Sequence, residues 1–162
     1  MRCAPNRSVQ PLLASTVLAP ALVAGLTGCS TYRSPTFEAI GVREVERTDE
    51  HAVLVFTVKA TNPNREPMPL RRADYTVRFG EDDVFTGTRS PESTVNTFGT
   101  HTFELPAVIP ASLAGRTGEI PYAIHGSVIY RRPGALADVL FDASISVPQA
   151  TLDLSGNVIL GD

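Results

Sequence analysis

The sequence predicts an all-β fold, an antiparallel sandwich of seven or eight short strands with at most one helical turn. Three observations carry this. From Phe37 onward, apolar and polar residues alternate at period two, the pattern of strands with one buried face. Clusters of turn-forming residues recur between the alternating runs. Proline supplies 13 of the 162 residues, ~8% against a usual ~5%, which breaks the chain into pieces too short for long helices. A chain that is 43% apolar and 19% charged has enough surface to bury, which excludes a disordered protein. Its 162 residues give room for one ordinary domain.

The opening segment differs from the rest. Arg2 and Arg7 flank the start, and Val9 to Gly25 follows without a charge, the layout of a secretory signal peptide. Pro11 and Pro20 interrupt the apolar run, which makes it a poor permanent span of the ~20 apolar residues a bilayer needs. Leu26-Thr27-Gly28-Cys29 resembles the lipobox of bacterial lipoproteins, an aliphatic residue and two small ones before a cysteine. That resemblance implies removal of residues 1–28 and acylation of Cys29, on its sulfur and at the new amino terminus. Two or three acyl chains hold a protein durably where one does not, so attachment to a membrane without spanning it is expected. Ser30, where Asp would mark retention in the enterobacterial sorting pattern, favours an outer membrane facing the periplasm if the source has two membranes. Cys3 leaves with the leader, so the two cysteines build no disulfide framework.

From Cys29 onward, 12 basic residues face 17 acidic ones, a formal charge of −5. Such a domain attracts neither nucleic acid phosphates nor anionic lipid heads, so the acyl anchor is expected to do the holding. Residues 29–35 form an acylated tether, of which Ser30 to Pro35 would span ~20 Å if extended.

The predicted sandwich occupies residues 36–150, with residues 151–162 as a C-terminal strand or tail. Phe37 to Glu46 is its first, weakly patterned strand. His51 to Thr61 is the clearest, with Ala52, Leu54, Phe56, Val58 and Ala60 on one face. Val53 and Val55 add apolar surface to the other. Ala73, Tyr75, Val77 and Phe79 alternate with Arg72, Asp74, Thr76 and Arg78, so one face is core and the other solvated. Gly80 to Asp83 turns the chain into Val84 to Thr88, and Ser90 to Ser93 turns it again before Thr100 to Leu105. Ala111 to Gly115 has the length of a helical turn. Ile120, Tyr122, Ile124, Val128 and Tyr130 form a strand around Gly126, and Arg131 to Gly134 is a turn. Ala137 to Val147 alternates once more and predicts a strand, closed by Pro148. Thr151 to Leu160 is the last, interrupted at Ser155-Gly156-Asn157.

Between the second and third strands lies a stiff crossover. Pro63, Pro67 and Pro69 each fix a backbone angle and lack a donor, so the segment is not expected to pair as a central strand. Asn62 and Asn64 have side chains suited to neighbouring amides. The run Asn62-Pro63-Asn64, then Pro67, Pro69-Leu70, Tyr75 and Gly80, resembles the late embryogenesis abundant group 2 family, also called the WHy (water stress and hypersensitive response) domain. The resemblance continues through Gly87, Pro121-Tyr122, Gly126 and the stretch Phe141 to Pro148. It covers roughly residues 37–148. Met68 stands where the family often has Leu, and the tail from Ala150 matches weakly. The resemblance implies a fibronectin type III or immunoglobulin-like sandwich, a role in desiccation, cold or osmotic stress, and no catalytic site or cofactor. Related domains have been suggested to handle lipids.

No other motif competes. His51, His101 and His125 are scattered, without metal-ligand spacing. Glu81-Asp82-Asp83 lacks the alternating ligands of a calcium loop and reads as a solvated hairpin tip. There is no nucleophile elbow and no phosphate-cradling loop. Arg65, Arg71, Arg72 and Arg78, with Arg131 and Arg132, are basic residues blunted by Glu66 and Asp74. The expectation is a non-catalytic, stress-protective envelope lipoprotein without metal or cofactor. Its partners would be the membrane, through Cys29, and client proteins or lipids. The alternative is an envelope module that binds or transfers lipid or another apolar ligand.

Overall fold

A computed structural model of the chain describes residues 32–116 and 118–160. The leader, Leu26, Thr27, Gly28 and Cys29 lie outside these residues. Among the described residues, eight strands form two antiparallel sheets. One contains β1 (Thr36–Arg47), β2 (His51–Thr61) and β6 (Thr100–Pro110), in the order β1-β2-β6. The other contains β3 (Met68–Phe79), β4 (Asp82–Arg89), β7 (Gly118–Tyr130) and β8 (Gln149–Leu160), in the order β4-β3-β7-β8. The short β5 (Thr94–Val95) pairs with the start of β3.

The alternation read from β2 sets its inward face: Ala52, Leu54, Phe56, Val58 and Ala60 are fully buried. They meet Tyr75, Val77, Ile124, Leu152 and Leu154 of the opposite sheet in one apolar cluster. An aromatic pair and a hydrogen bond are among the contacts that join the sheets directly. The Phe56 ring lies 4.8 Å from that of Tyr122, and the Tyr75 hydroxyl donates to the Pro106 carbonyl at 2.5 Å. The interior is thus filled by interlocking side chains from both layers, as sandwich cores are.

Two glycines are fixed by geometry. Gly80 turns the β3–β4 hairpin at φ +66°, where side chains are strained. Gly126 faces Tyr75 across the β3–β7 ladder, and a Cβ there would lie 2.1 Å from the Asp74 carbonyl oxygen. Only glycine lets these central strands approach so closely.

The structure corrects the sequence reading in several places. Residues 137–147 do not form a strand. They contribute to α2 (Ala135–Asp142) and a following turn, so the described residues hold two helices, with α1 (Ala111–Ala114), rather than one helical turn. The apolar residues satisfied both periods over this short window, and the flanking residues decide. Pro133-Gly134 precedes a run of good helix formers, and Asp138 sits in the first turn. Ser144 takes a left-handed φ of +57° after the helix. The Ile145 amide then donates to Leu140 O at 2.9 Å and the Ser144 amide to Phe141 O at 2.9 Å, which closes the end as a Schellman motif.

The third strand begins at Met68, inside the proline-rich crossover. Pro69 pairs with Thr94, and its carbonyl accepts from the Arg131 amide at 2.9 Å. A proline is tolerated there because the flanking Leu70 amide bonds Ser93 O at 2.8 Å and β5 is only two residues long. The last strand runs unbroken through Ser155-Gly156-Asn157, so β8 completes its sheet along the whole of β7.

Candidate functional site

β2 delivers Thr61 to one end of the sandwich, beside Thr36 and Thr100. The same end holds Met68, the start of β3, and Tyr130, the end of β7. We call it the entry end, because Tyr32 to Pro35 reach the body there. The Gly80 hairpin lies at the opposite end.

The Asn-Pro-Asn crossover is the polar centre of the entry end. Asn62 and Asn64 are 1% and 6% exposed, the only buried polar residues among those described. The Asn62 amide nitrogen donates to Glu66 O at 2.8 Å, Asn96 O at 3.1 Å and Val95 O at 3.2 Å. Its side-chain oxygen accepts from the Asn64 backbone at 2.9 Å and from the Asn64 side chain at 3.0 Å. One side chain therefore ties the crossover to β5 and the loop after it. Pro63, between the two asparagines, fixes the backbone angle of the turn and brings no N–H that needs a partner there.

Asn64 extends the network outward. Its amide nitrogen donates to Arg33 O at 2.7 Å, and its oxygen accepts from the Arg33 backbone N–H at 2.8 Å. Tyr32 stacks on Tyr130 with centroids 6.4 Å apart, and the Ser34 and Tyr130 hydroxyls are hydrogen-bonded at 3.0 Å. Pro35 is buried. Residues 32–35, expected as tether, are thus held against the sandwich. Nothing in the period-two pattern pointed to Tyr32, Ser34 or Tyr130 as partners; the one available signal was a tyrosine in an otherwise polar segment.

The same network sets the β5–β6 loop. Phe98 donates its amide to Asn64 O at 3.0 Å, and Thr97 Oγ1 donates to Arg65 O at 2.9 Å. Phe98 takes a left-handed φ of +48° with its side chain 64% exposed. A non-glycine residue in that region is strained, and here the strain displays an aromatic ring to solvent.

The remaining motif residues are placed elsewhere. Leu70, Tyr75 and Tyr122 are in the core. Gly80, Pro121 and Gly126 belong to the hairpin turn and to β7, and Pro67 is exposed on the crossover. Among the described residues no three His, Cys, Asp or Glu side chains gather as metal ligands. His51 meets Thr48 and His125 meets Asp153, each at 3.1 Å, far apart in the fold. The arginines are dispersed: Arg72 pairs with Asp74 at 2.9 Å, and Arg131 with Asp138 and Asp142.

Burial pushes the hydroxyls of Tyr32 and Tyr75 up to about 12. For Tyr32 the nearby Tyr130 and Glu66 add to the effect and Arg132 opposes it; for Tyr75 it is Arg89 that opposes. In the unfolded chain both return to the ordinary value of 10.0. Between these limits the fold keeps protons that the unfolded chain releases, so stability falls as pH rises from 10.0 through about 12. Denaturation midpoints measured across this interval should drop steeply, and Tyr75→Phe should flatten the decline. A midpoint independent of alkaline pH would contradict the buried placement of these phenols.

The described residues thus form a two-layer antiparallel sandwich whose proline-stiffened crossover is latched by two buried asparagines. A profile described as "Late embryogenesis abundant protein" matches residues 57–148. The chain belongs to this family. The matched stretch runs from the middle of β2 to Pro148, while β1 and β8 lie outside it and complete the sheets. Two solved structures share the fold. One is a solution structure titled as a late embryogenesis abundant protein, At2g46140.1, with a TM-score of 0.57 and 16% identity over 78% of this chain and 71% of that one. The other, AT1g01470 from Arabidopsis thaliana, gives 0.59 and 15% identity over 88% and 91%. No match was found among curated proteins. Family membership associates the chain with stress-related, non-catalytic proteins.

Proposed function

We propose that this protein is a membrane-attached envelope lipoprotein of the WHy type, whose sandwich protects proteins or membranes that lose water during desiccation, cold or osmotic stress. The observation that carries the reading is the clamp on residues 32–35. Arg33 is bonded at both backbone groups to Asn64, and Tyr32 is stacked on Tyr130. An acyl chain on Cys29 would then be separated from the folded body by about 10 Å of chain at ~3.3 Å per residue. The domain would work at the bilayer surface rather than at the end of a free leash. Among the described residues no helix is long and apolar enough to cross a membrane.

Fatty-acid labelling of cells tests the anchor: label on the wild-type chain and none on Cys29→Ala is expected, and equal labelling of both would refute it. Protection is tested separately, by drying a labile enzyme with the purified protein or with an inert sandwich domain. Greater retained activity with this protein is expected, and equal loss would refute the protective role.

A further inference from the structure

The five most exposed large apolar side chains among the described residues are Ile145, Leu136, Ile159, Phe98 and Val139, at 74, 73, 68, 64 and 64%. Ile159 faces Glu119 near the far end of β8. The other four belong to the entry end. Phe98 is displayed there by the asparagine network. Leu136, Val139 and Ile145 belong to α2 and its closing turn, an excursion that leaves the sheet at Tyr130 and returns where Pro148 O accepts from the Tyr130 amide at 3.1 Å. Tyr130 is also the residue on which Tyr32 stacks. The apolar display therefore springs from the point where the chain enters from Cys29.

The helix itself is unusual for a surface helix. No residue of α2 is buried, so its apolar side chains do not secure it to the core. It is kept in shape by Arg131, which bonds Asp142, lies 3.6 Å from Asp138, and stands over the Phe141 ring at 4.9 Å. One guanidinium thus faces both acids of the helix, and the exposed Arg132 brings the formal charge of residues 131–147 to zero. Beneath it, Pro133, Leu136, Leu140, Phe141 and Pro148 border an open hollow of about 460 Å³. Arg33 and Arg65 are also exposed at this end, against Glu66. In a domain with a formal charge of −5 from Cys29 onward, four of the five most exposed large apolar side chains thus share one end with the exposed Arg33, Arg65 and Arg132.

We infer that the entry end is a membrane seat: α2, with Leu136, Val139 and Ile145, and the Phe98 loop lie in the interfacial layer of a phospholipid bilayer. This rests on the lipid-anchor reading, because acyl chains on Cys29 would enter the bilayer within about 10 Å of Tyr32. A bilayer is favoured over a second protein because it is what lies at that distance in every orientation of so short a connection. An exposed apolar helix face, an exposed aromatic and flanking arginines are also the features of helices that lie in the headgroup layer. Seated this way, the long axis of the sandwich stands off the surface, and the Gly80 hairpin is held roughly 35 Å away, the rise of the residues of β3.

The chain contains no tryptophan, so a single introduced indole reports its own position. V139W, F98W and E81W are placed in the full-length protein, purified from membranes and reconstituted into phosphatidylethanolamine and phosphatidylglycerol vesicles with brominated acyl chains. V139W and F98W should shift to the blue and lose most of their emission, while E81W at the hairpin tip keeps its emission. Equal, solvent-like emission from all three would overturn the seat. So would a blue shift of V139W that appears without lipid and grows with protein concentration, since the occupant would then be a second copy. Fatty-acid labelling of the same preparations separates the two readings. Labelled protein without quenching refutes the seat and leaves the anchor, whereas quenching without label supports the seat and refutes the anchor.

Discussion

Asn62→Ala is expected to destabilise the fold by about 3–5 kcal/mol, at roughly 1 kcal/mol for each hydrogen bond lost. The truncation leaves three backbone carbonyls without this donor and deprives Asn64 of the oxygen that orients it. Asn62 is 1% exposed, so water does not readily replace what is removed. Asn62→Asp is the sharper experiment. It preserves shape and the acceptor, yet turns the donating nitrogen into an oxygen that faces the carbonyls of Glu66, Val95 and Asn96. Burying that charge among acceptors should cost at least as much as truncation. Urea denaturation of the three proteins checks the order: wild type most stable, Ala well below, Asp no better than Ala. An aspartate variant as stable as wild type would mean that the latch is not closed by donation from this side chain.

Phe56→Ala should cost about 3–5 kcal/mol, the range for emptying an aromatic site in a packed core. The ring is fully buried and packs on Tyr122 across the two sheets, so neither layer can follow it inward without losing its own ladder. Set against a total of ~5–15 kcal/mol, that loss leaves little margin at growth temperature. Phe56→Leu, which keeps most of the volume, should cost less than half as much. Thermal unfolding by circular dichroism reads both, and full stability in Phe56→Ala would show that this face of β2 is not the inner one.

The sandwich was legible because its strands obey one rule. In β2 and β3 a residue facing the core is followed by one facing out, and side-chain character reports that directly. The pattern failed where burial did not dictate it. The α2 segment buries nothing, so its apolar residues carry no information about a core, and a strand and a helix fitted equally well. Its helical signals were local: Pro133-Gly134 before it and Asp138 in its first turn. The crossover was partly legible. Asn62 and Asn64 were recognisable as groups suited to bonding backbone, and Glu66 and Asn64 are local partners of Asn62, but the others lie some thirty residues away, in the segment Val95 to Asn96 and at Arg33. No periodicity encodes a contact of that kind. Phe98 was hidden for a similar reason, since its exposure results from a loop conformation set by Asn64.

The order of residues in the latch also bears on chemical ageing. Asparagine deamidates when the backbone nitrogen of the next residue attacks its side-chain amide, and that route turns Asn into Asp or its isomer. Asn62 is followed by Pro63, whose nitrogen carries no hydrogen, so this attack is blocked at the position where an aspartate would do most harm. Asn64 is followed by Arg65 and has no such block, but its amide is held on both sides by Arg33 and Asn62. A protein that must outlast long periods without resynthesis would gain from a latch that does not deteriorate with time. The same proline that stiffens the crossover therefore gives the fold a shelf life.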